Sequence, residues 1–323
     1  MSATVLPNEA AALVVRIGGI PVFFGFSTGL WFLQDQSGFF LILWLASLPV
    51  FLVGIYEDLS ASVSPLIRLL SAFISVLISF FFLDIGVFSL DFEWTDYVLS
   101  EYKIVSLIFT LLVVAGAINS MNIIDGLNGL LGGYSILASL AISYVSYILG
   151  DGPMLQLSLM LAASISGFFI LNFPFGRIFM GDGGAYFVGF VIAVIGLVLV
   201  SRHQELSNWF VLLIFMYPMY ELLYTIYRRR IIHKTKASQP DAEHLHSLIY
   251  RNLISCERFK GNKVICNSMA SPFMWLLSLF GIIPAIVWHD NKFMLIISAL
   301  IFMVIYTIIY KHVASIRPEF DRR

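Results

Sequence analysis

The stretch FGRIFMGDGGAYFVGFVIAVIGLVLV, residues 175–200, carries the decisive reading. It opens on a polar turn in which Asp182 stands among Gly181, Gly183 and Gly184, and then runs from 184 to 201 without one charged residue. A helix of that length approaches the ~30 Å hydrocarbon core of a bilayer. Runs of roughly 17 to 22 mostly apolar residues, the length a membrane span requires, recur along the chain. They lie at 18–34, 38–56, 66–83, 104–119, 129–150, 154–173, 184–201, 209–227, 272–289 and 293–311. The pattern predicts an all-α polytopic membrane protein of about ten transmembrane helices, organised as one domain over 1–323.

Composition agrees. Of 323 residues 59% are hydrophobic and only 12% charged, against about 25% charged in soluble domains. Mean hydropathy is +0.89, which argues against a water-soluble enzyme. The net charge of -1 hides a sorting of the basic residues. Alternating the connecting segments puts Arg16, Arg68, Arg177, Arg228, Arg229, Arg230, Lys234, Lys236, Arg251, Arg258, Lys260, Lys263, Lys311, Arg317, Arg322 and Arg323 on one side. Lys103, Arg202 and Lys292 fall on the other. By the positive-inside rule the first side is cytoplasmic, with both termini. The acidic outer loop holding Asp84, Asp91, Glu93, Asp96 and Glu101 reads as a solvated surface. No cleavable leader is evident, no nucleic-acid partner is expected, and Cys256 and Cys266 read as reduced structural thiols.

Four groups of polar side chains fall on the basic face. Glu57 and Asp58 end the second span, just before Arg68. Paired acids there suit a divalent cation or a proton acceptor; a solvated helix end is the plainer alternative. Asn119, Asn122, Asp125 and Asn128 recur every third residue, predicting one drifting polar stripe along a helix. Such a stripe suits a sugar, a base or a hydrated metal ion, and interhelical hydrogen bonding is its alternative. The turn around Asp182 predicts a backbone that approaches a diphosphate at a helix N-terminus, with the acid holding Mg²⁺; the alternative is a flexible turn. His244 and His246, near Asp241 and Glu243, lack a compact third ligand for zinc, so donation from the imidazoles to phosphate oxygens is favoured. The polar stretch 228–271 reads as one long cytoplasmic loop.

EDLSASVSPLIRLL (57–70), NSMNIIDGLNGL (119–130), FGRIFMGDGGAYFVG (175–189) and PDAEHLHSLIYR (240–251) resemble, in that set and spacing, the polyprenyl-phosphate N-acetylhexosamine-1-phosphate transferases. This superfamily includes the undecaprenyl-phosphate GlcNAc-1-phosphate transferases and the phospho-MurNAc-pentapeptide transferase. The resemblance runs from about Arg16 to the last spans. It implies transfer of a sugar 1-phosphate from a UDP-N-acetylamino sugar to undecaprenyl phosphate, releasing UMP and initiating O-antigen or related lipopolysaccharide and cell-surface polymers. The reaction would take place at the cytoplasmic face of the bacterial inner membrane and need Mg²⁺ or Mn²⁺. Carried over by position, the resemblance makes Asp58, Glu57 and Asp125 catalytic and Asp182 and Asp125 metal-binding. Asn119, Asn122, Asn128, Arg68, His244, His246, Gly181 and Gly183 become the substrate-binding set.

The sequence departs from the family at Glu57, where an Asp is common, at Asn128, where many members carry Asp, and at Ser247, where some carry His. The family usually has one more helix before the equivalent of Arg16, where this sequence has MSATVLPNEAAALVV. A homodimer is compatible with the family but demanded by no feature here. Two other readings remain open: a transporter, which predicts polar groups at mid-membrane in paired broken helices, and a degraded relative with a binding role.

Overall fold

The computed structural model describes residues 16–33, 38–232, 243–254, 256 and 261–316. The segment before Arg16, the Pro240 and Asp241 part of the histidine motif, and Lys234, Lys236, Arg258, Lys260, Arg317, Arg322 and Arg323 lie outside the described residues. Among the described residues there is no β-strand. The helices are α1 (Gly19–Leu30), α2 (Phe39–Ser60), α3 (Pro65–Phe82), α4 (Glu93–Glu101), α5 (Lys103–Ile124), α6 (Leu130–Ile148) and α7 (Gly152–Asn172). They continue as α8 (Gly181–Arg202), α9 (Trp209–Ile214), α10 (Met216–Tyr227), α11 (Leu245–Leu253), α12 (Lys263–Met269), α13 (Ser271–Val287) and α14 (Lys292–Ser315).

Eight helical segments, with α12 and α13 counted as one, are long and apolar enough to cross a membrane. The chain is a multi-pass membrane protein. The other two expected spans differ from expectation: α1 has only 12 residues, and 209–227 is broken into α9 and α10 at Phe215. Pro218 explains the break. It has no N–H to donate to the carbonyl four residues back, and that carbonyl, of Ile214, is instead taken by the Tyr134 hydroxyl.

The decisive apolar run becomes the centre of the bundle. In the most apolar 18-residue window of α8, 89% of the residues are buried within the protein, against 33% in those of α3 and α14. α8 is wrapped by α1, α2, α5, α6 and α7. Small residues allow the closest approach: a Cβ on Gly54 of α2 would lie 2.4 Å from the Gly183 Cα of α8. Phe23 of α1 stacks on Phe51 of α2 at 4.0 Å, and Phe187 of α8 meets both rings edge-on.

Three expectations need correction. The stretch 228–271 is not one loop: a π-helical turn at Arg228–Ile232, α11 and α12 fold within it. Cys256 and Cys266 are not separate thiols but are paired, their Cα atoms 5.6 Å apart. The acidic outer segment is solvated as expected at Asp84, Glu93 and Glu101 but tied down at Asp91 and Asp96. The Asp91 carboxylate accepts from the Asn208 N–H and Nδ2 at 3.0 and 2.8 Å, and Asp96 accepts from the Leu90 N–H at 2.7 Å.

Candidate functional site

The site gathers at one end of the bundle, where α2 and α5 finish and α8 begins. α8 starts with Gly181 at φ +78°, a left-handed conformation that a side chain would strain and that turns the chain from the 175–180 segment into the helix. The free N–H groups of this helix start attract an anion. The anion is Asp58: its Oδ1 accepts from the Asp182 N–H at 2.8 Å and its Oδ2 from the Gly183 N–H at 3.0 Å. The Gly181 N–H is directed to Asp125. The amides expected to cradle a diphosphate are thus already occupied by two carboxylates of the chain. Gly183 thus meets Asp58, and Gly181 meets Asp125, through their N–H groups.

With the turn fixed in this way, Asp182 projects into a ring of donors. Asn122 Nδ2 donates to its Oδ1 at 2.9 Å; Arg68 Nη1 and the Tyr186 hydroxyl reach its Oδ2 at 3.2 and 3.3 Å. Arg68 also faces Glu57, Nη2 to Oε1, at 3.7 Å. The other Glu57 oxygen accepts from the Val63 N–H at 2.7 Å, closing the turn between α2 and α3.

Asp125 lies just beyond the end of α5. Burial, followed by the charges of Asp182 and Asp58, pushes its carboxyl well above the usual range, against an opposing pull from Arg16. Part of its surface remains open.

The expected polar stripe does not form as one helical row, because α5 ends at Ile124. Asn122 is on the helix and at the site. Asn119 donates to the Ala115 carbonyl one turn back, at 2.7 Å. Asn128, past the turn, is only 4% exposed and belongs to another network. Its N–H donates to Asn267 Oδ1 at 2.8 Å, and its carbonyl accepts from Ser271 Oγ at 2.7 Å, which fastens α12 and α13 to the 125–129 turn. Asn128, expected in the substrate-binding set, is placed by the structure in this packing network and away from the Asp182 ring of donors.

The histidines meet this end of the bundle at Gly126, where a Cβ would come 2.4 Å from His246 Nε2. His246 is buried and stacks on His244, ring centroids 5.4 Å apart. His244 keeps some surface, and its Nδ1 lies 3.0 Å from Glu221 Oε1. Glu221 is missing from the sequence reading. It also accepts from the Leu245 N–H at 3.2 Å and the Tyr306 hydroxyl at 2.7 Å, so this buried carboxylate sets both the ring and the start of α11. The signal available was a lone acid within an apolar run. Tyr186, one helical turn beyond Asp182, was missed as well, and i to i+4 spacing was its signal.

Among the described residues no three His, Cys, Asp or Glu side chains are spaced to hold one metal ion together. A hard cation such as Mg²⁺ does not need such a cage, since it is usually held by one or two carboxylates with waters and substrate phosphates. Asp125 and Asp182 supply that donor chemistry.

Residues 40–200 match glycosyl transferase family 4. The chain is 30% identical over 243 residues to a probable undecaprenyl-phosphate N-acetylglucosaminyl 1-phosphate transferase of Bacillus subtilis, covering 72% of this chain and 65% of that protein. It therefore spans about two thirds of the length of that relative. It is 28% identical to an undecaprenyl-phosphate alpha-N-acetylglucosaminyl 1-phosphate transferase of Thermotoga maritima, over 74% of this chain and 69% of the relative. It is also 28% identical to a phospho-N-acetylmuramoyl-pentapeptide-transferase of Campylobacter lari, over 59% of this chain and 62% of the relative.

Proposed function

The chain belongs to glycosyl transferase family 4 through residues 40–200, and from that membership we propose that it transfers an N-acetylamino-sugar 1-phosphate from a UDP-sugar to undecaprenyl phosphate. UMP is released, and the lipid-linked product starts a cell-surface polymer of the O-antigen kind. One observation carries this reading: segments far apart in sequence, at 57–68, 122–125 and 181–186, converge on Asp182 at one end of the bundle. At such an end a lipid phosphate can arrive from the bilayer and a nucleotide sugar from the cytoplasm.

No covalent protein nucleophile is required, because the lipid phosphate is itself one. Its oxygen forms a bond to the β-phosphorus of the UDP-sugar as the bond from that phosphorus to the bridging oxygen breaks, and UMP departs with the electron pair. The protein's task is to align two anions and offset their charge. Asp125 and Asp182 would hold a divalent cation, Mg²⁺ or Mn²⁺, which when bound neutralises the phosphate oxygens. Asn122 orients Asp182, and Arg68 supplies positive charge beside it. Asp58, with both oxygens committed to the α8 backbone, acts as a positioning residue for the turn. Glu57 holds Arg68. His244, oriented by Glu221, offers a donor to the phosphates of the nucleotide sugar.

The test is UMP release by the purified full chain in detergent with undecaprenyl phosphate, Mg²⁺ and a panel of UDP-sugars that includes UDP-GlcNAc and UDP-GalNAc. Release that needs the lipid phosphate supports the reading. Absence of release with every donor in the panel contradicts it.

A further inference from the structure

Arg68 is seated on the carboxylate to which the proposed function assigns a cation. Its Nη1 is 3.2 Å from Asp182 Oδ2 and its Nη2 is 3.7 Å from Glu57 Oε1, so one guanidinium serves two acids. The second oxygen of Asp182 is held by Asn122. A divalent cation approaching Asp182 therefore meets a positive charge already seated there, and like charges at this separation in a partly buried site repel strongly. The side chain is able to leave. Arg68 lies in the first turn of α3, is about a quarter exposed, and ends a long unbranched stem. Beside it on the same helix, Ile67, Leu70 and Ile74 are each about half exposed and form an apolar ridge for lipid chains. Arg68 thus sits between the acids and the surface along which a lipid phosphate would travel.

We propose that Arg68 is a displaceable counter-ion: a divalent cation evicts its guanidinium from Asp182, and the freed guanidinium takes up the phosphate of a polyprenyl-type lipid. This rests on the reading above that a cation takes Asp182. Cation and lipid phosphate then bind with mutual reinforcement, because each favours the same position of one side chain.

The experiment is titration of the full purified chain with Mn²⁺, free ion being followed by electron paramagnetic resonance, with and without farnesyl phosphate. Arg68→Gln should bind Mn²⁺ about fivefold or more tighter than the parent when no phosphate is present, within the usual range of such couplings. Farnesyl phosphate should tighten Mn²⁺ binding in the parent by a clearly larger factor than in Arg68→Gln. Should Arg68→Gln not fold, Arg68→Lys, with its shorter reach, should also bind Mn²⁺ more tightly than the parent. Unchanged or weaker Mn²⁺ binding in the folded variant overturns the proposal. Asp182→Asn separates the two levels. Loss of Mn²⁺ binding there, without a gain in Arg68→Gln, refutes Arg68 as counter-ion and leaves the cation reading standing. Undiminished Mn²⁺ binding in Asp182→Asn overturns both.

Discussion

Asp58 holds Asp182 by its backbone: across 124 residues of sequence, Asp58 Oδ1 accepts the Asp182 N–H at 2.8 Å, and the neighbouring Gly183 N–H binds Oδ2 at 3.0 Å. The acid pair of α2 and the glycine turn of α8 are therefore one unit. Asp58→Asn replaces one accepting oxygen by a donor that faces an N–H and removes the negative charge from the helix start. It should lower stability by about 1–2 kcal/mol, the scale of a lost cap and dipole interaction. Thermal unfolding of the purified protein would show this, and UMP release should fall by a larger factor, because Asp182 is no longer aimed.

Glu221→Gln keeps the shape of the buried carboxylate while removing the charge that accepts from His244, the Leu245 N–H and Tyr306. Charged hydrogen bonds of this kind are each worth about 1.5–3 kcal/mol. We expect a lower unfolding temperature and a raised KM for the nucleotide sugar with little change in KM for the lipid phosphate. Equal effects on both substrates would remove Glu221 from the donor side of the site.

The raised Asp125 carboxyl gives a pH dependence with a definite sign. In the cation-free protein Asp125 keeps its proton at pH values well above its ordinary 3.8, so a bound cation must expel that proton. Apparent Mn²⁺ affinity should rise with pH, by up to about tenfold per unit while one proton is displaced. Linkage requires the converse for stability: the contribution is intact below 3.8 and is lost as pH climbs toward the raised value. Proton uptake or release during Mn²⁺ titration in weak buffer checks this, and no release would contradict it.

Tyr134→Phe tests the broken helix. The Ile214 carbonyl, deprived of an N–H by Pro218, would lose its hydroxyl donor, at a cost of about 1–3 kcal/mol for a buried unsatisfied acceptor. Pro218→Ala returns a backbone N–H, so the same tyrosine substitution should cost less in that background. Equal costs in both backgrounds, measured by thermal unfolding, would separate the tyrosine from the break.

The sequence made the membrane class legible because span length and uncharged runs follow from bilayer thickness, and eight of the ten expected segments obey that rule. The break at Phe215 is less visible, since hydropathy averages over it, although Pro218 marked its place. At the site, residue identities were legible and hydrogen-bond directions were not. The sequence reads Asp58 as a catalytic acid and the glycine amides as a cradle for a diphosphate, but a carboxylate of the same chain satisfies a helix start as well as a diphosphate does. The Asn119 to Asn128 row failed as a stripe because period-three spacing holds only while the helix continues, and α5 stops at Ile124. Glu221 was hidden among apolar neighbours, where a lone acid is expensive and therefore informative.

Asp182→Asn is the most direct test of the account. The variant keeps the size of the side chain and its backbone contacts to Asp58, so it should insert like the parent, with an unfolding temperature lowered only by the weakened bonds from Arg68, Asn122 and Tyr186. UMP release in saturating Mg²⁺ and undecaprenyl phosphate should fall by at least about a hundredfold, the scale of losing one preorganised electrostatic group at a reacting centre. Near-parental UMP release from the folded variant would contradict the claim that chemistry is centred on Asp182.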